Sequence, residues 1–193
     1  MSVFSFIMYC FIVTVTPGTT NVCILSTVQN DGIKAAMKFT YGSLVGFFLL
    51  LSCSAMLNAY FVQIIPTIIF YIKIIGTGYL LYVTYQIYKM DVSKSKESSN
   101  GKGSFKRGLF IQLLNPKPVI FTLTLFPSFV LPYYNGFFPL SMTVLAVSSI
   151  CFTSFTLWVL FGAVFKEFLR KYNKQANIVM ATFLLYATGM IWF

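Results

Sequence analysis

The chain has 193 residues, of which 58% are hydrophobic and only 9% charged, against roughly 25% charged in an ordinary soluble domain. That balance excludes a water-soluble globular domain and defines an all-α integral membrane protein. Fourteen Lys and Arg against four Asp and Glu give a formal net charge of +10. These cations sit in short links with no aromatic-interleaved basic surface among them, which excludes nucleic acid as a partner and points to the anionic inner leaflet of a lipid bilayer.

Allowing roughly 20 apolar residues per crossing, the charge-poor segments divide into six spans, at residues 3–28, 39–62, 66–88, 105–131, 138–165 and 175–193. No Lys or Arg precedes the first span and no small-residue cleavage site follows a short apolar core. It is therefore expected to be retained rather than removed as a signal peptide. Runs such as 43–51 show no alternation of polarity, which argues against a transmembrane β-barrel.

Span one is interrupted at Thr16-Pro17-Gly18-Thr19-Thr20-Asn21. A bilayer offers no water to backbone groups freed by a broken helix, so such a break survives only where it faces protein or a wet cavity. Gly18 lets the backbone come close to a ligand. A helix restarting after Pro17 would present free N–H groups on Gly18, Thr19, Thr20 and Asn21, an arrangement suited to a carboxylate.

The link after span one carries Lys34 and Lys38, and the link around Gln63 carries no charge. Lys73, toward the outer end of span three, reads as an anchor. After span three come Lys89, Lys94, Lys96, Lys102, Lys106 and Arg107, most of them in or beside a Ser-, Lys- and Gly-rich stretch at 91–104. That stretch reads as a flexible cytoplasmic linker between two halves, residues 1–90 and 105–193.

Span four holds the second interruption, Gln112-Leu113-Leu114-Asn115-Pro116-Lys117-Pro118. Pro116 and Pro118 donate no hydrogen bond and leave carbonyls exposed before them. With Asn115 and Gln112, these acceptors suit an ammonium group. Lys117 lies about 18 Å along the helix from Phe105. It is either a functional intramembrane cation or a side chain that snorkels to the interface. The link around Pro132-Tyr133-Tyr134-Asn135 is uncharged, and the link after span five has Lys166, Arg170, Lys171 and Lys174. With six spans, every basic link falls on one side. That side is expected to be cytoplasmic, with both termini outside.

Three spans on each side of the linker require any repeat to be inverted in the membrane. Residues 78–84 (Gly-Tyr-Leu-Leu-Tyr-Val-Thr) and 182–188 (Thr-Phe-Leu-Leu-Tyr-Ala-Thr) are weakly similar, each in the last span of its half. Helices 1 and 4, the first of each half, are the broken ones. The breaks together predict one substrate site made by Thr16, Pro17, Gly18, Thr20, Asn21, Gln112, Asn115, Pro116 and Lys117, fit for a zwitterion near the midplane.

No Gly-rich phosphate loop is present, so ATP hydrolysis is not expected, and nothing marks an enzyme or calls for a cofactor or metal. There is no histidine, and Asp31, Asp91, Glu97 and Glu167 all lie in or beside links. A proton, if one is moved, is left to Lys117, Asp31 or the substrate itself. Cys10, Cys23, Cys53 and Cys151 form no Cys-x-x-Cys pair and read as small apolar fillers. A membrane thiol-redox conduit would need a cysteine beside each break. Efflux of heavy metals would need clustered soft ligands. Efflux of another small solute, a non-transporting scaffold and a homo-oligomer all remain compatible with the sequence.

Thr16-Pro17-Gly18 with Asn21, Asn30-Asp31-Gly32 with Ala35-Ala36, the stretch 76–82, and Arg107-Gly108 with Gln112-Leu113-Leu114-Asn115-Pro116-Lys117 together resemble the LysE/RhtB family of amino-acid exporters. The similarity runs through nearly the whole chain. It implies a six-span exporter of amino acids or their derivatives in a prokaryotic inner membrane, driven by the proton gradient. The sequence departs from the family's Pro-Gly-Pro-Asn-Asn at Thr19 and Thr20 and keeps only the last asparagine.

Overall fold

A computed structural model describes residues 3–16, 18–60, 65–89, 104–134 and 136–189. Pro17, Gln63, Asn135 and the linker residues 91–103, on which several expectations rest, lie outside the described residues. Among those described, the chain is helical and contains no strand: α1 Val3–Val15, α2 Thr19–Asp31, α3 Ile33–Tyr60, α4 Ile65–Tyr88, α5 Phe105–Leu114, α6 Pro116–Leu125 running into a π-helical turn at Phe126–Val130, α7 Phe137–Val164, α8 Lys166–Lys171 and α9 Asn173–Gly189.

Both expected interruptions are real bends. The axes of α1 and α2 meet at 49°, and those of α5 and α6 at 61°. The second bend follows from proline sterics. Asn115, the residue before Pro116, is extended (φ −78°, ψ 116°), because the proline ring disfavours the helical region for its predecessor. Pro116 then opens α6 at a position where an N–H would have no partner. Gly18 is likewise extended (φ −158°, ψ −179°), and α2 begins one residue later, at Thr19 rather than at Gly18.

α3 and α7 are each long and apolar enough to cross a bilayer, and each bent pair passes the same test when taken as one span. The helices overrun the hydropathy boundaries. α3 starts at Ile33 and so contains Lys34 and Lys38, which the sequence placed in a link. Hydropathy marks the hydrocarbon slab, whereas a helix continues into the headgroup layer as long as its backbone bonds propagate.

Cross-chain contacts fix the helix directions. On α3, Gly42 and Gly46 approach Phe105 and Leu109, and Ser54 and Asn58 reach Thr122 and Leu123, so α3 runs in the same direction as α5–α6. Thr14, Val15 and Val28 meet Ser154, Trp158 and Gly162 in turn, so α7 runs with α1–α2. Tyr41 stacks on Phe152, and a shared recess joins Ser52 to Ser141, so α3 and α7 are antiparallel. Lys34, Lys38, Lys106 and Arg107 consequently gather at the end where α7 finishes. α4 packs on α9, bringing together the helices that carry residues 78–84 and 182–188.

The α3–α5 crossing is the tightest contact. A Cβ on Gly42 would lie 2.0 Å from the Phe105 carbonyl oxygen, and one on Gly108 would lie 2.0 Å from that of Phe39. Small residues let backbones touch in this way where apolar burial provides no drive between helices. Ser43 Oγ donates to the Gly108 carbonyl across the crossing (3.2 Å).

α2 is the central element. Every residue from Thr19 to Gln29 is buried, although the helix carries Thr19, Thr20, Asn21, Ser26, Thr27 and Gln29. Such a helix could not face lipid, where unsatisfied polar groups are costly. It is enclosed by α3, α5, α7, α8 and α9.

Candidate functional site

Breaking span one frees the carbonyls at the end of α1, and each finds a donor. Val13 O accepts from Thr16 Oγ1 (2.9 Å), and Thr14 O from Asn21 Nδ2 (3.1 Å). Val15 O accepts from Trp158 Nε1 (2.9 Å). Thr16 O takes both Asn21 Nδ2 (2.9 Å) and Lys117 Nζ (3.4 Å). The matching N–H groups at the start of α2 are treated differently. The first intrahelical bond is Val22 N to Gly18 O, so the N–H groups of Thr19, Thr20 and Asn21 have no intrahelical acceptor. No side chain caps them.

The second break is tied directly to the first. Asn115 caps α6 by accepting from Lys117 N (3.1 Å), while its Nδ2 donates to Thr19 Oγ1. One turn earlier, Gln112 Oε1 accepts from Thr20 Oγ1 (2.8 Å). Lys117 reaches back across the junction, and its ammonium donates to Thr16 Oγ1 (3.1 Å) as well as to Thr16 O. The Lys117 side chain is thus turned toward the partner break. Among the described residues no carboxylate pairs with it.

These groups surround one partly open cavity of about 40 Å³, enough for a few water molecules and well below the roughly 300–1,000 Å³ typical of ligand pockets. Gly18, Thr20, Asn21, Gln112, Asn115 and Lys117 all line it, so the structure brings together most of the residues expected from the two breaks. Thr16 stands behind Lys117. Pro116 is buried and opens α6 without lining the cavity. The acceptors expected at the second break, Asn115 Oδ1 and Gln112 Oε1, are engaged by protein donors. Asn21 Oδ1 is buried and has none.

The opposite wall was not foreseen. Phe47 of α3, Phe121 of α6, and Cys151 and Phe155 of α7 make it apolar, and Thr14 Oγ1 pairs with Ser154 Oγ at 2.8 Å. Thr19, absent from the expected set, is the hydroxyl that holds Asn115. Its place in the first interruption was the available signal. Nothing in α7 signalled its role, because that helix has no charge and its proline lies in the first turn.

Two broken helices whose restart points face each other over a cavity with one polar and one apolar wall, inside an apolar helical shell, form the architecture of a membrane transporter. The comparisons agree. The LysE type translocator family matches residues 11–192, and the chain belongs to it. It is similar to the cysteine/O-acetylserine efflux protein of Klebsiella pneumoniae subsp. pneumoniae, with 27% identity over 187 residues, 97% of this chain and 95% of that protein. Proteins of the same description from Salmonella paratyphi A (25% identity) and Escherichia coli O1:K1 (26%) each align with 98% of the chain and 96% of their own length. No solved structure matches.

Proposed function

We propose that this multi-pass membrane protein exports small amino acids or their derivatives, cysteine- or O-acetylserine-like solutes among them, from the cytoplasm to the exterior. The observation that carries the reading is the imbalance at the first break. Every carbonyl freed at the end of α1 is satisfied by a side chain, whereas Thr19, Thr20 and Asn21, whose N–H groups have no intrahelical acceptor, line the same cavity as Lys117. A carboxylate completes that set. Asn21 Oδ1 supplies an acceptor for the amino group, and the apolar wall of Phe47, Cys151 and Phe155 receives a short side chain.

Six crossings in two inverted three-helix halves, 1–90 and 105–193, joined by the 91–104 linker, account for the helix directions. Each broken helix runs parallel to the second helix of the other half, and α4 meets α9 where the halves adjoin. The end that gathers Lys34, Lys38, Lys106 and Arg107 is cytoplasmic, which leaves both termini outside. The proton gradient drives export, with Lys117 the titratable group at the cavity.

The test is release of free amino acids from cells loaded with a dipeptide. Expression of the parent chain raises release of a small amino acid. Asn21→Ala and Lys117→Ala, present at parental level, do not, and a protonophore abolishes the effect. Release unchanged by the parent chain would remove the export reading. Release as fast from both variants would remove the site.

A further inference from the structure

A second cavity lies away from this site. It is an open recess of about 910 Å³ between the last turns of α3 and the first turns of α7, where Ser52, Asn58 and Ser141 interrupt an apolar lining. It sits at the end of the molecule opposite Lys34, Lys38, Lys106 and Arg107. On α7, Phe155 and Cys151 line the central cavity, and Val144, Ser141 and Phe137 line the recess. Positions 155, 151, 148, 144, 141 and 137 step by four and three, so they share one helix face. Cys151 and Val144 are about 10 Å apart along the axis. On that face, only Val147 and Ser148 occupy the turn between the two cavities.

Ser148 is unusual within its helix. Hydroxyls in a helix commonly return to the carbonyl four residues back, and Thr143, Ser149, Thr153 and Thr156 of α7 all do so. Ser148 is 9% exposed, and its Oγ has no partner. A hydroxyl buried in this way is costly unless a polar guest visits it. The facing seam is also polar. Ser54 Oγ donates to Thr122 Oγ1 (3.0 Å), and Asn58 Nδ2 donates to the Leu123 carbonyl (3.1 Å) while Asn58 Oδ1 stays buried without a partner. Phe47 and Phe121 stack at 6.1 Å, one turn along α6 beyond Pro118 and toward the recess.

We propose that the recess is the exit vestibule of the transport path, and that the zwitterion leaves the central cavity along the Cys151, Ser148, Val144 and Ser141 face of α7. The Phe47–Phe121 stack shuts that route in the state described. The inference rests on the export reading and takes the exported solute, rather than a lipid chain, as the occupant of the recess.

Cysteine accessibility in intact cells tests it. Ser148→Cys and Ser149→Cys are compared for reaction with a charged, membrane-impermeant thiol reagent added outside, each measured above the parent's own labelling. Ser148→Cys is expected to react faster than Ser149→Cys, which occupies an exposed position, and excess substrate is expected to slow it. Ser148→Phe, at parental protein level, is expected to lose export. Charged-reagent labelling of Ser148→Cys no faster than of Ser149→Cys overturns the path. So does labelling of Ser148→Cys by an apolar reagent alone, the behaviour of a lipid crevice. A parent that exports nothing defeats the export reading, while labelling at position 148 still decides whether a water-filled route exists.

Discussion

Gly108→Ala is the sharpest probe of how the fold positions the site. The added Cβ would sit 2.0 Å from the Phe39 carbonyl oxygen, 2.9 Å from its carbon and 3.0 Å from Ser43 N. A close carbon–oxygen contact is about 3.3–3.6 Å, so the overlap exceeds 1 Å. Because the obstacle is backbone, no rotamer change relieves it, and α5 must move away from α3. Overpacking of this kind costs about 1–3 kcal/mol, and losing the bond from Ser43 to Gly108 O adds about 0.6 kcal/mol on the membrane scale. Gly78→Ala is the matched control. Its Cβ meets nothing within 4 Å, so it keeps only the helix-propensity gain of up to about 1 kcal/mol. For a chain of this size, thermal unfolding in detergent should place Gly108→Ala about 3–14 °C below the parent and Gly78→Ala level with it or slightly above. The displacement also carries Gln112, whose 2.8 Å bond to Thr20 does not survive a shift of that size, so export falls with stability. Equal melting temperatures and equal export for the two variants would show that the α3–α5 contact is not as close as described.

On the proposed site, Lys117→Met removes a charge-assisted partner for the substrate carboxylate, worth about 1.5–3 kcal/mol. It should raise the half-saturating substrate concentration about 10- to 150-fold, read in vesicles, with little change in melting temperature. Trp158→Phe leaves Val15 O without its donor, and should cost about 1 kcal/mol in thermal unfolding while leaving the other cavity groups in place. Ser54→Ala should cost only about 0.6 kcal/mol, because Thr122 Oγ1 retains its own bond to Val119 O. Gly162→Ala should fall between Gly108→Ala and Gly78→Ala in the same melting series, since its Cβ would meet the movable side chains of Val28 and Leu25 at 3.1–3.2 Å.

The breaks were legible in the sequence because proline and glycine act locally. A proline constrains its predecessor and withholds a donor wherever it stands, so positions 16–21 and 112–118 announced themselves before any tertiary contact was known. The partners of the freed groups were not legible. Asn21 could be foreseen near its own break, but the Trp158 indole reaches Val15 across 143 positions of sequence, and Thr14 finds Ser154 across 140. Such contacts depend on which face α7 turns inward. A helix apolar on all sides does not reveal that face. Lys117 was ambiguous for a related reason: depth along a helix does not say which way a long flexible side chain turns. Helix ends were misjudged where α3 continues past the apolar slab.

α1 has 13 residues, about 20 Å of helix, which is short of the roughly 30 Å hydrocarbon core. Its continuation α2 is the polar helix that lipid would reject. During synthesis, then, the bent pair α1–α2 reaches its final seat late, because the walls that shelter α2 include α7 and α9, made more than a hundred residues later. α2 is therefore fully enclosed only once α7 and α9 are in place. A chain cut after residue 134 should leave its opening segment at the bilayer surface.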